Sequence, residues 1–388
     1  MNRYYSYINN SIKIIEAYKA DIPFAVFIKL FFAKEKKFGS RDRKQIASLC
    51  YNYFRVGSII NKILNEDLIL AAEFLCNENS AIIIALKPEW KEMLNQPIID
   101  KIKFINPQLT ISDLFPLKNE LNTQINLEVF CKSILIQPDV FVRIRPEQFE
   151  QTTQKIKQSV LPKTFISNDC VQFAAGSKIE NFIEPDKEVV IQDLNSQRVL
   201  DYIINNQKEF SDNINIWDCC AASGGKSILL NDIFKAPFNL TVSDIRSSIM
   251  ANLHVRFKKA GIKKYDHFIT DSSSPNFKSG NELYDIIICD APCTGSGTWS
   301  RTPEQLHFFN PASIDEFVQL QKKICSNVVS KLKKGGLFFY ITCSVFKKEN
   351  EAQAEFIQQK LNLELLETKT LYGYENKADS MFTAVFKK

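Results

Sequence analysis

Apolar residues recur three and four positions apart early in the chain, as in IIEAYKADIPFAVFIKLFFAKEKK (14–37) and RDRKQIASLCYNYFRVGSIINKIL (41–64). That period lines one face of a helix, and few strand-like runs interrupt it, so residues 1–120 are expected to form an all-α domain. From 121 to 188, short apolar runs such as DVFVRIR (139–145) precede polar helical stretches such as EQFEQTTQKIKQ (147–158), the texture of a small α+β module. From 189 to 388 the pattern alternates. NINIWD leads to a helix from Lys226, FNLTVSD to a helix from Ser247 to Ala260, and DHFITD and YDIIICD to a helix from Ile314 to Leu332, followed by GGLFFYITCS. Short apolar strands alternating with helices predict a mostly parallel, doubly wound α/β sheet.

Ligands of such sheets bind beyond the carboxyl ends of the strands. The residues that follow the expected strands are therefore candidates by position: Asp218 to Lys226, Asp244, Asp271, Asp290 to Cys293 and Thr342 to Ser344.

Composition narrows the class. A chain of 388 residues, 45% hydrophobic and 24% charged, suits a globular protein of more than one folding unit. It has no apolar uncharged window of about 18 residues, so no membrane span is expected. The amino-terminal residues lack a basic segment followed by an apolar core and a cleavage site, which leads to the expectation of a cytoplasmic protein, taken here as a monomer. The ten cysteines fall without repeated spacing and are expected to be reduced. With three histidines, and Cys289 and Cys293 in a CxxxC spacing, no metal site is expected. A net charge of +5 permits an anionic partner without requiring one. The basic residues Lys34, Lys36, Lys37, Arg41, Arg43 and Lys44 read as the solvated face of an amphipathic helix, with RNA contact as the alternative.

The run CCAASGGKS (219–227) tests one functional class directly. A nucleotide-triphosphate loop, GxxxxGK[ST], would need glycine at position 220, where Cys220 stands. GxGxxG fails as well, since only Gly224 and Gly225 are available. A small-residue loop leading from a strand into a helix still brings amides close to a ligand's polar groups, here through Cys220, Ala221, Ala222, Ser223, Gly224, Gly225 and Lys226. Asp244 is placed to accept hydrogen bonds from ribose hydroxyls, and Asp271 to lie near an adenine edge. The alternative for each aspartate is a cap on the following helix. Three aspartates, with Asp290, on consecutive strand ends beside the loop favour a nucleoside cofactor. S-adenosylmethionine, which has ribose and adenine but no phosphate, suits a loop that fails as a phosphate cradle.

Three motifs carry a resemblance to a known family. WDCCAASGGKS resembles D-x-C-A-A-P-G-G-K-T, CDAPCTGSGTWSRTPE resembles D-A-P-C-S-G-x-G-x-x-R-R-x-P-D, and FYITCSVFKKENE resembles Y-x-T-C-S-x-x-x-x-E-N-E. Together, with VVIQDLNSQRV (189–199) as lead-in, they are similar in order and spacing to the Sun/Fmu-type RNA 5-methylcytosine methyltransferases. Upstream, FGSRDRKQIASLCYNYFR (38–55) resembles that family's NusB-like helical extension, and DVFVRIRPEQF the start of its small RNA-contacting module. The resemblance implies a Rossmann-like class I methyltransferase domain at 189–388, S-adenosylmethionine as cofactor and RNA as partner. It implies ribosomal RNA as substrate, with transfer RNA as runner-up. Two positions depart from the pattern: Ser223 stands where the family has proline, and Ser300 replaces the first of two arginines, leaving Arg301.

C5 of cytosine is a poor nucleophile, and covalent addition at C6 is what makes it react; a thiolate adds and leaves readily. The resemblance makes Cys343 the nucleophile and Cys293 the residue that assists release. A Pro-Cys pair like that of the DNA cytosine methylases would instead favour Cys293. Asp290 is placed to bind the N3 and amino edge of the base. Lys226 either lowers a thiol's pKa or binds substrate, against the plain reading of a lysine with a solvated tip. The C5 proton acceptor is left open among a carboxylate, Cys293 and water, because His254, His267 and His307 lie outside the motifs. A non-catalytic RNA-binding scaffold is the alternative from another class; it would not need the two thiols.

Overall fold

The computed structural model describes residues 3–56, 64–207, 210–279 and 282–388. The helical expectation for 57–63 lies outside the described residues. Along the chain come α1 (Arg3–Ala17), α2 (Phe24–Lys34), α3 (Ser40–Val56), α4 (Glu66–Cys76), α5 (Ala81–Leu86), α6 (Ile98–Ile105) and α7 (Leu127–Ile134). Next are β1 (Val140–Ile144), α8 (Phe149–Gln158), β2 (Lys163–Phe165), β3 (Cys170–Phe173), β4 (Val189–Ile191) and α9 (Asp201–Asn205). Then follow β5 (Ile214–Asp218), α10 (Gly225–Ile233), β6 (Phe238–Asp244), α11 (Ser247–Lys259), β7 (Asp266–Ile269) and β8 (Tyr284–Asp290). The chain ends with α12 (Pro303–His307), α13 (Ser313–Val329), β9 (Leu332–Thr342), α14 (Glu351–Lys360), β10 (Glu364–Leu371) and β11 (Met381–Lys387).

These elements fall into two compact units. The first holds residues 1–137 and 298–311. Its helices form because apolar residues repeat on one face: in α3, Ile46, Leu49, Cys50, Tyr53 and Phe54 are buried at the 3,4 spacing read from the sequence. Phe24, Tyr18 and Phe54 cluster around them edge to face. The segment 298–311 belongs here because Trp299, 1% exposed, packs on Phe115 and Phe309. Residues 121–137, grouped by composition with the α+β stretch, also lie in this unit. Lys34, Lys36, Lys37, Arg41 and Lys44 are exposed.

The second unit holds 138–297 and 312–388. It contains a four-stranded antiparallel sheet, β2-β3-β1-β4, and a seven-stranded sheet ordered β10-β11-β9-β8-β5-β6-β7. In the larger sheet β7, β6, β5, β8 and β9 run parallel, and β11 is antiparallel to both β9 and β10. Strand order reverses between β5 and β8, the switch point where such folds open a crevice. The helix expected to reach Leu332 stops at Val329, because Leu332 is already paired with Tyr284 at the start of β9. Two apolar clusters fill the space around the sheet, one including Ile216, Val242, Leu253, Phe257 and Phe339, the other Trp217, Ile287, Phe338, Tyr340 and Phe382.

The small sheet is tied to the large one by charge. Arg143 and Arg145 on and after β1 both reach Asp232 of α10, at 2.6 and 2.7 Å, and all three side chains are 3–4% exposed. Arg145 also donates to the carbonyls of Asp186 and Ala260. A buried carboxylate held by two guanidiniums is satisfied only while both sheets keep this register.

Candidate functional site

β5, β6 and β8 end side by side, and their loops line a cleft of about 460 Å³. Its walls include Cys219, Cys220, Ala222, Asp244, Asp271, Asp290 and Cys293, with Ile245, Pro292, Leu320 and Ile324 as apolar surface. The size and mixed lining are those of a small-molecule site. Of the sequence candidates, Ala221, Ser223, Gly224, Gly225, Lys226 and Cys343 are not among the lining residues. No histidine is among the lining residues.

The glycine-rich loop is shaped by contacts to its neighbours. Gly224 has φ +83° and caps α10; a Cβ there would sit 2.6 Å from Phe257 Cε1 of α11, so only glycine fits. Ala222 takes φ +47°, and its amide donates to Asp244 Oδ2 at 3.0 Å. Asp244, 5% exposed, also accepts from the amide and guanidinium of Arg246. Burial alone would raise its pKa, but these hydrogen bonds outweigh it and hold the carboxyl below its usual value. The aspartate expected to meet ribose therefore also supports the loop, and sequence reasoning missed Arg246 as its partner. Asp271 lies two residues past β7; its Oδ1 accepts from Ser273 N and Oγ, a local turn, while the residue stays exposed on the cleft.

Lys226 does not have a solvated tip. Its Nζ is 2.6 Å from Asp290 Oδ2, with side-chain exposures of 17% and 24%. Burial works to lower the lysine's pKa, and the Asp290 charge more than offsets it, leaving a firmly protonated ammonium. Beneath this pair, Asp218 is fully buried and accepts from Ser227 Oγ at 2.6 Å. Burial first, with help from the Asp290 charge, pushes its carboxyl up to about 7.

Five of the ten cysteines fall into two groups. Cys219, Cys220 and Cys289 bring their thiols within 4.8 Å of one another, and each is held above the usual thiol range, a protonated packing cluster. Cys293 and Cys343 are half-buried, with their sulfurs 3.4 Å apart. The hydrogen bond with Cys343, then burial, raises Cys293 well above its ordinary value.

The loops bearing these two thiols are joined by residues that no sequence argument singled out individually. Glu349, fully buried, accepts from Thr294 N (2.9 Å), Thr294 Oγ1 (2.5 Å), Ser344 Oγ (2.5 Å) and Gln321 Nε2 (3.0 Å). Thr294 follows Cys293 and Ser344 follows Cys343, so one carboxylate staples both turns. Asn350 adds hydrogen bonds with Thr342 Oγ1 and Ser344 O. Gly297 N donates to Cys343 O at 2.9 Å, and a Cβ on Gly297 would fall 2.2 Å from Ser380 O. The available signal for these residues was the ENE stretch itself.

Residues 202–386 match the model of the family described as 16S rRNA methyltransferase RsmB/F. Ribosomal RNA small subunit methyltransferase B of Yersinia enterocolitica is 31% identical over 184 residues, 47% of this chain and 41% of the relative. Its namesake from Escherichia coli strain CFT073 is 32% identical over 183 residues, with the same shares covered. The chain thus matches less than half the length of these curated relatives. Among solved structures, PH0851 aligns with a TM-score of 0.73 at 19% identity over 98% of both chains. NSun6 from Pyrococcus horikoshii with SFG aligns with a TM-score of 0.58 at 14% identity, over 70% of this chain and 96% of that one. These likenesses show the fold, a helical region and a Rossmann-like α/β domain. The matched residues 202–386 span all three motifs and every residue that lines the cleft, so this part of the chain is similar to the RsmB/F family of 16S rRNA methyltransferases.

Proposed function

We propose that this protein is an S-adenosylmethionine-dependent RNA cytosine-C5 methyltransferase acting on ribosomal RNA through a covalent Cys–C6 adduct. The observation that carries the reading is the 3.4 Å approach of the Cys293 and Cys343 sulfurs next to a cleft that Cys293 and Asp290 both line. The names of the matched relatives and the SFG, an S-adenosylmethionine analogue, of the NSun6 structure support it.

The donor set fits the cofactor. Asp244 would hold the ribose hydroxyls, Asp271 the adenine edge, and the loop from Cys220 to Gly225 the amino acid end, with apolar wall for the ring. S-adenosylmethionine, when bound, supplies an electrophilic methyl group. The remaining work falls to the protein. Cys343 adds as thiolate to C6, forming the C6–S bond as the C5–C6 π electrons move to C5, which becomes nucleophilic. Asp290 orients the base by its N3 and amino edge, and the Lys226 ammonium holds Asp290 in place and stabilises negative charge as the thiolate forms. After transfer, loss of the C5 proton returns the electrons to C5–C6 and expels Cys343. The C5 proton passes to a carboxylate or a water, and Cys293, a neutral thiol 3.4 Å from the Cys343 sulfur, gives its own proton to the departing thiolate. Both faces of the C5–C6 bond must be open, so the target cytosine leaves any helical stack.

The test is methyl transfer from labelled S-adenosylmethionine to cellular RNA by the purified protein, with 5-methylcytosine measured separately in ribosomal and transfer RNA. Label in 5-methylcytosine of ribosomal RNA supports the reading. Label confined to transfer RNA moves the substrate to the runner-up, and no label in any RNA points to a scaffold.

A further inference from the structure

Position 223 carries serine where the family motif has proline, a change that removes the backbone restriction of the ring from a loop with positive φ on both sides, at Ala222 and Gly224. The structure places a replacement there. Arg256 of α11 extends its Nη1 to Ser223 O at 3.1 Å and to Ser223 Oγ at 3.0 Å. The other edge of the same guanidinium is fixed by Asp186, with Nε at 2.9 Å and Nη2 at 2.7 Å from Oδ1. Asp186 is itself 8% exposed and held by its backbone, its amide donating to Val189 O and its carbonyl accepting from Arg145.

We infer that Arg256, anchored by Asp186, is a positioning residue that fixes the cofactor loop at Ser223 in place of the missing proline. A planar guanidinium suits the task, because one edge is oriented by a carboxylate while the other presents a donor at a set angle. Nη1 also lies 3.9 Å from where a Cβ would sit on Gly225, so the cation covers the loop from the side of α11. Asp186 lies just before β4 of the small sheet, so that part of the chain contributes to the cofactor site without touching it. The inference rests on the cofactor reading for its functional consequence, but the ordering of the loop does not.

The experiment uses the full chain and three variants: Arg256→Met, Ser223→Pro, and the two combined. Hydrogen exchange of amides 221–225 in the unliganded protein reads the loop, and calorimetry with S-adenosylhomocysteine reads the site. Arg256→Met is expected to speed loop exchange and weaken S-adenosylhomocysteine about tenfold, the loss of two hydrogen bonds from a charged donor. The KM for S-adenosylmethionine should rise with little change in kcat. Adding Ser223→Pro to Arg256→Met should return exchange and affinity to within about twofold of the parent, which a merely structural arginine would not allow. Unchanged loop exchange in Arg256→Met, or a double variant no better than the single one, would overturn the inference. If the parent protein itself does not bind S-adenosylhomocysteine, the cofactor reading fails, while loop exchange still decides the role of Arg256.

Discussion

The sulfurs of Cys293 and Cys343 lie 3.4 Å apart although 50 positions separate them in sequence. Parallel pairing of β8 with β9, in the register Asp290 to Ile341, carries both turns to the same edge of the sheet. That pairing sets the neighbourhood; the buried network around Glu349 sets the distance.

Glu349→Ala removes the acceptor for Thr294 N and Oγ1, Ser344 Oγ and Gln321 Nε2 and leaves buried donors unpaired. A loss of about 2–4 kcal/mol in stability is expected, with a larger proportional loss of methyl transfer than of cofactor binding. Glu349→Gln keeps the shape, and the two hydroxyls can turn to accept from the amide, so it should lie between parent and alanine variant. Urea unfolding and single-turnover kinetics check this. Equal damage from Gln and Ala would show that charge, not the staple, matters.

Asp218 gives a pH signature. Its folded-state value of about 7 lies above that of an unfolded aspartate. Between the two values the folded chain keeps a proton that the unfolded chain has lost. This group's contribution to stability is therefore full at low pH and falls as pH rises towards 7. Asp218→Asn cannot ionise and still accepts from Ser227. Its stability relative to the parent should improve between pH 5 and pH 8, by at most about 1.4 kcal/mol per pH unit over the titration window. A difference that does not change with pH would contradict the assignment.

Asp232→Ala strands the Arg143 and Arg145 guanidiniums, both almost fully buried. A loss of about 3–5 kcal/mol is expected, read by denaturant unfolding. Replacing Arg143, Arg145 and Asp232 together by apolar residues should recover much of it. A small effect from Asp232→Ala alone would mean that the pair is not what joins the two sheets.

Much of the site was legible in the sequence because strand ends carry it: Asp244, Asp290, Cys293 and the CCAASGGK loop follow apolar runs whose period is local. What was not legible depends on residues distant in sequence. Arg256 meets Ser223 and Asp186 only when α11 packs behind the loop. Trp299, read as part of a catalytic motif, buries itself against Phe115 in the first unit, so the boundary cuts through that motif at Gly297. Lys226, read as tuning a thiol or binding substrate against the plain alternative of a solvated tip, meets its partner Asp290 at 2.6 Å only because the loop after β5 and the end of β8 come together in the fold.

The central claim, a covalent adduct formed by Cys343 and resolved with Cys293, is tested most directly by incubating single-cysteine variants with ribosomal RNA and S-adenosylmethionine and separating the products on a denaturing gel. The account predicts that Cys293→Ala accumulates a protein–RNA band that survives denaturation, and that Cys343→Ala forms no such band and transfers no methyl group. Full methyl transfer by Cys343→Ala, or an adduct that persists when Cys343 is absent, would contradict it.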